Sequence, residues 1–220
     1  MFLESIILSH GTLDLLFFSR SDEIAIYLMI IYFYNFFMTI IPELGISIFL
    51  LLSSYHIGDL NPNESSWKKI IKGSLIITSS YFTSDGSKVW GNSLYLLGVT
   101  DEKILHIFSL LININTISFV SCSIIYKKKS FIPLFLLHLM VLFTDIQNFL
   151  MIYSTIIHLP IFILRAKKRF GKKCYIIFPS IPLCYLFLKS ITWNVGILRV
   201  IISFSVSHLL LHFGILKIFN

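Results

Sequence analysis

The sequence predicts an all-α protein, a polytopic bundle of roughly eight or nine transmembrane helices. Of its 220 residues, 56% are hydrophobic and only 13% are charged, whereas soluble domains carry about 25% charged residues. The apolar runs approach the length of about 20 residues that a membrane-spanning helix needs. They lack the alternation of polar and apolar residues that marks membrane β-strands. We therefore expect one integral membrane domain over residues 1–220.

Each apolar run predicts one helix, and polar links separate the runs. A polar stretch at 19–23 ends the first run. Pro42 divides the second run from the third, which is short for a full crossing, because proline is tolerated in a first helical turn. Residues 83–101 contain glycine and serine and are expected to be half structured. The predicted helices are 1–18, 24–41, 42–55, 67–82, 102–126, 131–145, 146–164, 174–189 and 195–219.

Basic residues gather in short links between the apolar runs, as the positive-inside rule expects of cytoplasmic loops. Two predicted helices separate each basic cluster from the next, so the three clusters face the same side. The net charge of +7 therefore indicates orientation in a membrane, and we expect no nucleic acid partner. The basic clusters are Lys68, Lys69 and Lys72, then 127–129, then 165–169. The opposite side is expected to carry Asp85, Asp101, Asp145 and the link 189–194.

Two segments, 9–14 and 54–59, each place a histidine and an aspartate beside a glycine. Their histidines, His10 and His56, share a predicted depth in the cytoplasmic half of the bundle with His158. Ionisable residues are costly in hydrocarbon, so inside a membrane they indicate a functional site. Neutral imidazole binds iron, copper or zinc. Taken together, the three histidines favour an intramembrane metal site over three separate hydrogen bonds between helices.

Neighbouring residues fit such a site. Asp14 follows His10 by one helical turn, where its carboxylate can orient a ligating imidazole. Gly58 permits close helix approach. His208 and His212 share one face of the last predicted helix, although this spacing alone is a weak signal.

The remaining histidines and the cysteines carry less information. His106 lies near the outer end of its predicted helix, and His138 is mid-span with its role open. The cysteines have no metal-type spacing, which indicates packing residues. They are Cys122, Cys174 and Cys184.

The order and spacing of these motifs resemble the Brp/Blh family of β-carotene 15,15′-dioxygenases, microbial membrane enzymes that split β-carotene into retinal. The family pattern Pro-His-Gly-Ala-x-Asp-His is matched at its His-Gly and its Asp by residues 9–15. The pattern Ala-Tyr-His-Phe-Gly is matched by Tyr55, His56 and Gly58, and an Arg-Gly element is matched in part by residues 72–73. The likeness spans most of the chain.

The third family pattern, Tyr-Phe-x-x-Trp-His-Ser-x-x-His, is matched by Tyr153 and His158. Its final histidine falls on Phe162, which cannot bind a metal. Three histidines then suffice, or His208 or His212 supplies the fourth ligand, or the activity is weak or lost.

The resemblance implies a multi-pass oxygenase whose Fe(II) activates O2 to cleave the central double bond of β-carotene. Its partners would be the polyene, O2 and the surrounding membrane lipid, from which the polyene would enter. The residues implied for the site are His10, His56 and His158 as iron ligands, with Asp14, Tyr55 and Tyr153 beside them.

Two other classes of function stay open. One is a different histidine-metal membrane oxidase or hydroxylase. The other is a transporter or a non-catalytic membrane protein that retains the fold. A transporter is expected to show repeat symmetry or paired broken helices, whereas this sequence shows one break, near Pro42, and no repeat.

Overall fold

The computed structural model describes residues 21–61, 63–153, 159–172 and 195–212. Within these ranges the chain is helical and contains no β-strand, so the all-α prediction is confirmed there. The predicted helices 1–18 and 174–189 lie outside the described residues. The α-helices in the described ranges are α1 Ser21–Ile40, α2 Pro42–Gly58, α3 Ser66–Ser79, α4 Gly86–Leu96, α5 Asp101–Ile125, α6 Lys128–Met140, α7 Ile146–Ile152, α8 Leu159–Phe170 and α9 Val195–His212.

One helix start and one helix end show clear local sequence signals. Pro42 occupies the first turn of α2, as predicted. The chain leaves α4 through Gly98, whose φ of 91° suits glycine. There the amide of Val99 donates to the carbonyl oxygen of Leu94 at 3.1 Å. The stretch 83–101 is therefore more helical than expected.

The chain divides into two compact units. The unit Met38–Leu150 contains α2 to α6 and most of α7, and the other consists of Met1–Phe37 and Met151–Asn220. In the first unit α3 packs against α2, α5 and α6, and its side chains include the fully buried Leu75. This helix is the core of its unit. A single domain over 1–220 stays a prediction.

In the other unit the structure describes most of α1 together with α8 and α9. Tyr27 of α1 is buried against three isoleucines of the same helix. Ser203 and Ser207 of α9 are fully buried, and the Ser207 hydroxyl donates to the Ser203 carbonyl oxygen at 3.1 Å. Small residues of this kind let a helix face approach its neighbours closely.

Two of the described helices are long and apolar enough to cross a membrane: Glu23–Ile40, with 18 residues, and Asp101–Ile125, with 25. Only 11% and 22% of their apolar windows are buried inside the protein. Ile124, for example, is 78% exposed. Apolar surface of this extent supports membrane association.

The helices α2 and α3 cross at two glycines, Gly58 and Gly73. A Cβ atom on Gly58 would overlap the carbonyl oxygen of Lys69, and one on Gly73 would overlap that of Ser54. The backbones of the two helices are therefore in direct contact. Close crossings at small residues are typical of membrane helices, where interhelical packing replaces the hydrophobic effect.

We expect Gly73→Ala to lower the free energy of unfolding by about 1–3 kcal/mol, because the new methyl group must displace backbone. Gly91→Ala is the matched control. A Cβ atom on Gly91 would lie 3.5 Å from the Phe108 ring, an ordinary contact, and alanine is favoured over glycine inside a helix by about 0.5–1 kcal/mol. Denaturation in detergent micelles, followed by circular dichroism, measures both. Unchanged stability of Gly73→Ala would contradict the close crossing.

Candidate functional site

The structure describes some of the predicted site residues and not others. His10, Asp14 and His158 lie outside the described residues. Within the described ranges, no group of three histidine, cysteine, aspartate or glutamate side chains could hold a metal ion. The described candidates are Tyr55 and His56 at the end of α2, the buried Tyr153 after α7, the buried His208 in α9, and the backbones of Phe162 and His212.

Tyr55 and His56 lie in the last turn of α2, and α3 holds that turn in place. The Asp59 amide donates to the His56 carbonyl oxygen at 3.2 Å. The Asp59 carboxylate pairs with Lys69 at 2.8 Å. The Lys69 ammonium also lies over the Tyr55 ring, 5.4 Å from its centroid. Lys69 therefore contacts residues on both sides of the half-buried His56, which fixes the backbone from which this imidazole projects.

A second ion pair lies one helical turn further along α3. Lys72 pairs with Glu64 at 2.5 Å, and the Tyr126 hydroxyl donates to Glu64 at 3.3 Å. Lys72 also lies 5.6 Å above the Tyr126 ring. Tyr126 directly follows the last residue of α5 and precedes Lys127. Two of the predicted basic clusters therefore lie at one end of this unit.

These lysines differ from the loop-end residues that the sequence suggested. Lys69 and Lys72 are only 6% and 4% exposed, because their spacing turns both toward α2 and α5. Their apolar stems can be buried there, while Asp59 and Glu64 neutralise their charges.

We expect Lys72→Met to lower the free energy of unfolding by about 3–5 kcal/mol, because Glu64 would keep a largely buried charge without its partner. Lys103→Met breaks the more exposed pair with Glu43, whose side chains are 58% and 33% accessible. That change is expected to cost about 0–1 kcal/mol. Denaturation in micelles measures both variants. Equal losses would contradict the difference in burial.

A buried polar network joins α3, α5 and α6. Asn115 Nδ2 donates to Thr78 Oγ1 at 3.0 Å and to Ser79 Oγ at 3.2 Å. Ser79 Oγ lies 2.8 Å from His138 Nδ1. Thr78, Ser79 and Asn115 are each at most 5% exposed. Because buried polar groups lose free energy without partners, these bonds hold the three helices in one arrangement.

The protonation of His138 follows from the hydrogen bonds of Ser79. The Ser79 hydroxyl lies 2.6 Å from the Leu75 carbonyl oxygen, which can only accept a hydrogen bond. A hydroxyl has one proton and two lone pairs. Ser79 donates that proton to Leu75 and accepts from both Asn115 and His138. We infer that neutral His138 carries its proton on Nδ1 and leaves a lone pair on Nε2.

Three phenylalanines, the ring cluster, extend from His138: Phe119, Phe131 and Phe135. The centroid of the His138 ring is 4.9 Å from that of Phe119. Phe119 in turn contacts Phe131 at 5.7 Å, and Phe131 contacts Phe135 at 6.1 Å. Phe131, Phe135 and His138 share one face of α6, because they follow at helical spacing. The cluster is a partly exposed aromatic surface that leads to the imidazole.

The sequence reasoning left His138 without a role and missed Ser79 and Asn115. A polar side chain inside a long apolar helix was the available signal, because such residues usually face other helices. That signal does not distinguish the buried Asn115 from Asn113, which lies in the same helix and is exposed.

No protein-family model, curated protein or solved structure matches this chain. The resemblance to the Brp/Blh family therefore depends on the sequence motifs and stays a prediction.

Proposed function

We propose that the chain is a multi-pass membrane protein of eight or nine helices with its basic loops in the cytoplasm. The two long apolar helices and their exposed surfaces support this proposal. The contact between Tyr126 and the start of α3 also supports it, because it brings Lys68 of one basic cluster and Lys127 of the next to one end of the Met38–Leu150 unit.

We further propose that it is an iron-dependent oxygenase that cleaves β-carotene centrally to retinal. One observation carries this proposal. The α2–α3 crossing brings together two of the family-like elements, because Gly58 of the Tyr55-His56 motif packs on Gly73, which follows Lys72. Residues that resemble separate motifs of one family are thus neighbours in space, as they would be if both served one site.

The donor set suits Fe(II), because neutral imidazole is a common iron ligand. His10, His56 and His158 would bind it, and the bound iron would supply activation of O2. Asp14, Tyr55 and Tyr153 would orient the imidazoles and keep the site dry.

The absence of a histidine at position 162 is the main departure from the family pattern. Phe162 lies in the first turn of α8. In α9, His208 is buried and His212 follows one turn later. We propose that one of these two histidines supplies the ligand that Phe162 cannot.

The rival proposal is a non-catalytic or transporter-like protein that retains the fold. Buried ion pairs and hydrogen-bond networks also occur where they only hold helices together. Iron content after mild purification separates the two proposals, because only the oxygenase needs a bound metal.

We expect His56→Ala to lose iron and retinal formation together, because it removes a ligand. The control is His106→Ala, since His106 is an exposed residue of α5. Elemental analysis of purified protein measures iron, and chromatography of extracts from a β-carotene-producing bacterium measures retinal.

We expect either His208→Ala or His212→Ala to lose iron. Adding Phe162→His to that variant is expected to restore its iron content. If the unmodified protein binds no iron and forms no retinal, and Phe162→His changes neither, the oxygenase proposal fails.

Topology is tested by cysteine labelling in a chain whose three native cysteines are replaced by alanine. Lys128→Cys and Lys167→Cys are expected to resist a membrane-impermeant maleimide added to intact cells. Ser87→Cys, next to Asp85 at the start of α4, is expected to react. Labelling of position 128 from outside would show that the proposed orientation is wrong. The histidines would then no longer be expected to share a depth in the cytoplasmic half of the bundle.

A further inference from the structure

We propose that His138 and the ring cluster form a binding site for a lipid-soluble alcohol, whose hydroxyl donates a hydrogen bond to His138 Nε2. The site lies within the Met38–Leu150 unit and uses none of the residues proposed to bind iron. This proposal can therefore be tested independently of the oxygenase proposal.

His138 has an unused lone pair on Nε2. Nδ1 is engaged with Ser79, and the described residues offer Nε2 no hydrogen-bond partner. His138 lies about 15 Å along α6 from Lys128 at 1.5 Å per residue. With Lys128 at the cytoplasmic surface, as in the topology proposed above, that depth is near the middle of a hydrocarbon core about 30 Å thick. Bulk water is scarce there, so a ligand with a proton to donate would gain a hydrogen bond.

The ring cluster forms an elongated aromatic surface beside the imidazole. From Phe131 to His138 the aromatic surface runs about 10 Å along α6. Phe135 is 37% exposed, and Phe119 and Phe131 are half-buried. Aromatic rings that offer their faces and edges at 5–6 Å spacing favour flat, conjugated or cyclic apolar groups. The surface suits an elongated apolar molecule whose polar end reaches the imidazole.

The chemistry at Nε2 selects an alcohol among lipid-soluble molecules. Ketones, aldehydes, ethers and carboxylates offer only acceptors, which repel a lone pair. An ammonium ion would need a counter-charge, and the network partners Thr78, Ser79 and Asn115 are all neutral. A single imidazole is too few ligands for a metal ion. A neutral hydroxyl donates and needs no counter-charge.

The test compares retinol with retinyl methyl ether, in which a methyl group replaces the hydroxyl proton, on the full chain in nanodiscs. Trp90 Nε1 donates to Ser80 Oγ at 3.0 Å, next to Ser79. In a background with Trp67→Phe and Trp193→Phe, which leaves Trp90 of the three tryptophans, quenching of tryptophan fluorescence reports binding close to the network. We expect retinol to bind about three- to tenfold more tightly than its ether, the value of one neutral hydrogen bond.

Variants identify the residue responsible. His138→Asn keeps a donor at the position of Nδ1, so its bond to Ser79 survives, and it removes the acceptor at Nε2. We expect this variant to bind both probes with the affinity of the ether. Phe119→Leu is expected to weaken both probes equally, because it removes stacking alone. His106→Asn, a change at an exposed histidine of the neighbouring helix, is the control and is expected to keep the preference.

Equal affinity of the unmodified protein for retinol and its ether would overturn the proposal, and this comparison needs no variant to fold. A preference for retinol that persists in His138→Asn would also overturn it. Neither result depends on iron or on retinal formation, so the oxygenase proposal is tested separately.

Discussion

The close crossing of α2 and α3 is the constraint on which the rest of the Met38–Leu150 unit depends. Gly58 and Gly73 allow the two backbones to contact each other. As a result, α3 is buried among α2, α5 and α6. Polar side chains on α3 are then buried from Lys69 near its start to Ser79 at its end. Buried charge without a partner costs several kcal/mol, and an unpaired buried hydroxyl also loses free energy. Because of the crossing, the surrounding helices and links must provide ion-pair and hydrogen-bond partners at specific positions along α3.

The polar side chains of α3 have charged partners at one end of the helix and neutral partners at the other. This change matches the fall in polarity that is expected from the surface of a bilayer to its centre. At the start of the helix, Lys69 and Lys72 form ion pairs with carboxylates from the preceding turn and link. At its end, Ser79 forms only neutral hydrogen bonds, with Asn115 and His138. Ions are least costly near headgroups and water, and most costly at mid-depth. The helix α3 thus has two ion pairs near its start, beside the turn that contains His56. It has a neutral hydrogen-bond network at its other end.

Particular elements show how far local sequence information reaches. The proline start of α2 was predictable because proline acts on its own backbone. The helix α4 was not, because its two glycines and two serines are weak helix formers. Its sequence is helical because Leu94 is 1% exposed in the folded unit, and packing outweighs propensity. Gly86 adds to this by lying against backbone carbonyl groups of the 3₁₀ turn Ser80–Phe82.

The sequence by itself determined the helical class and the apolar surfaces, because the length and composition of an apolar run are local properties. It also identified His56 as a candidate ligand from its immediate neighbours. Only the tertiary structure decided which polar residues have partners. Ser79 meets His138 across 59 positions of sequence, and Asn115 is buried while Asn113 of the same helix is exposed. Such pairings depend on the rotation of each helix about its axis and on side chains supplied by distant segments. Helix rotation and the choice of partner are set by the packing of all the helices together. They cannot be read from any single segment of the chain.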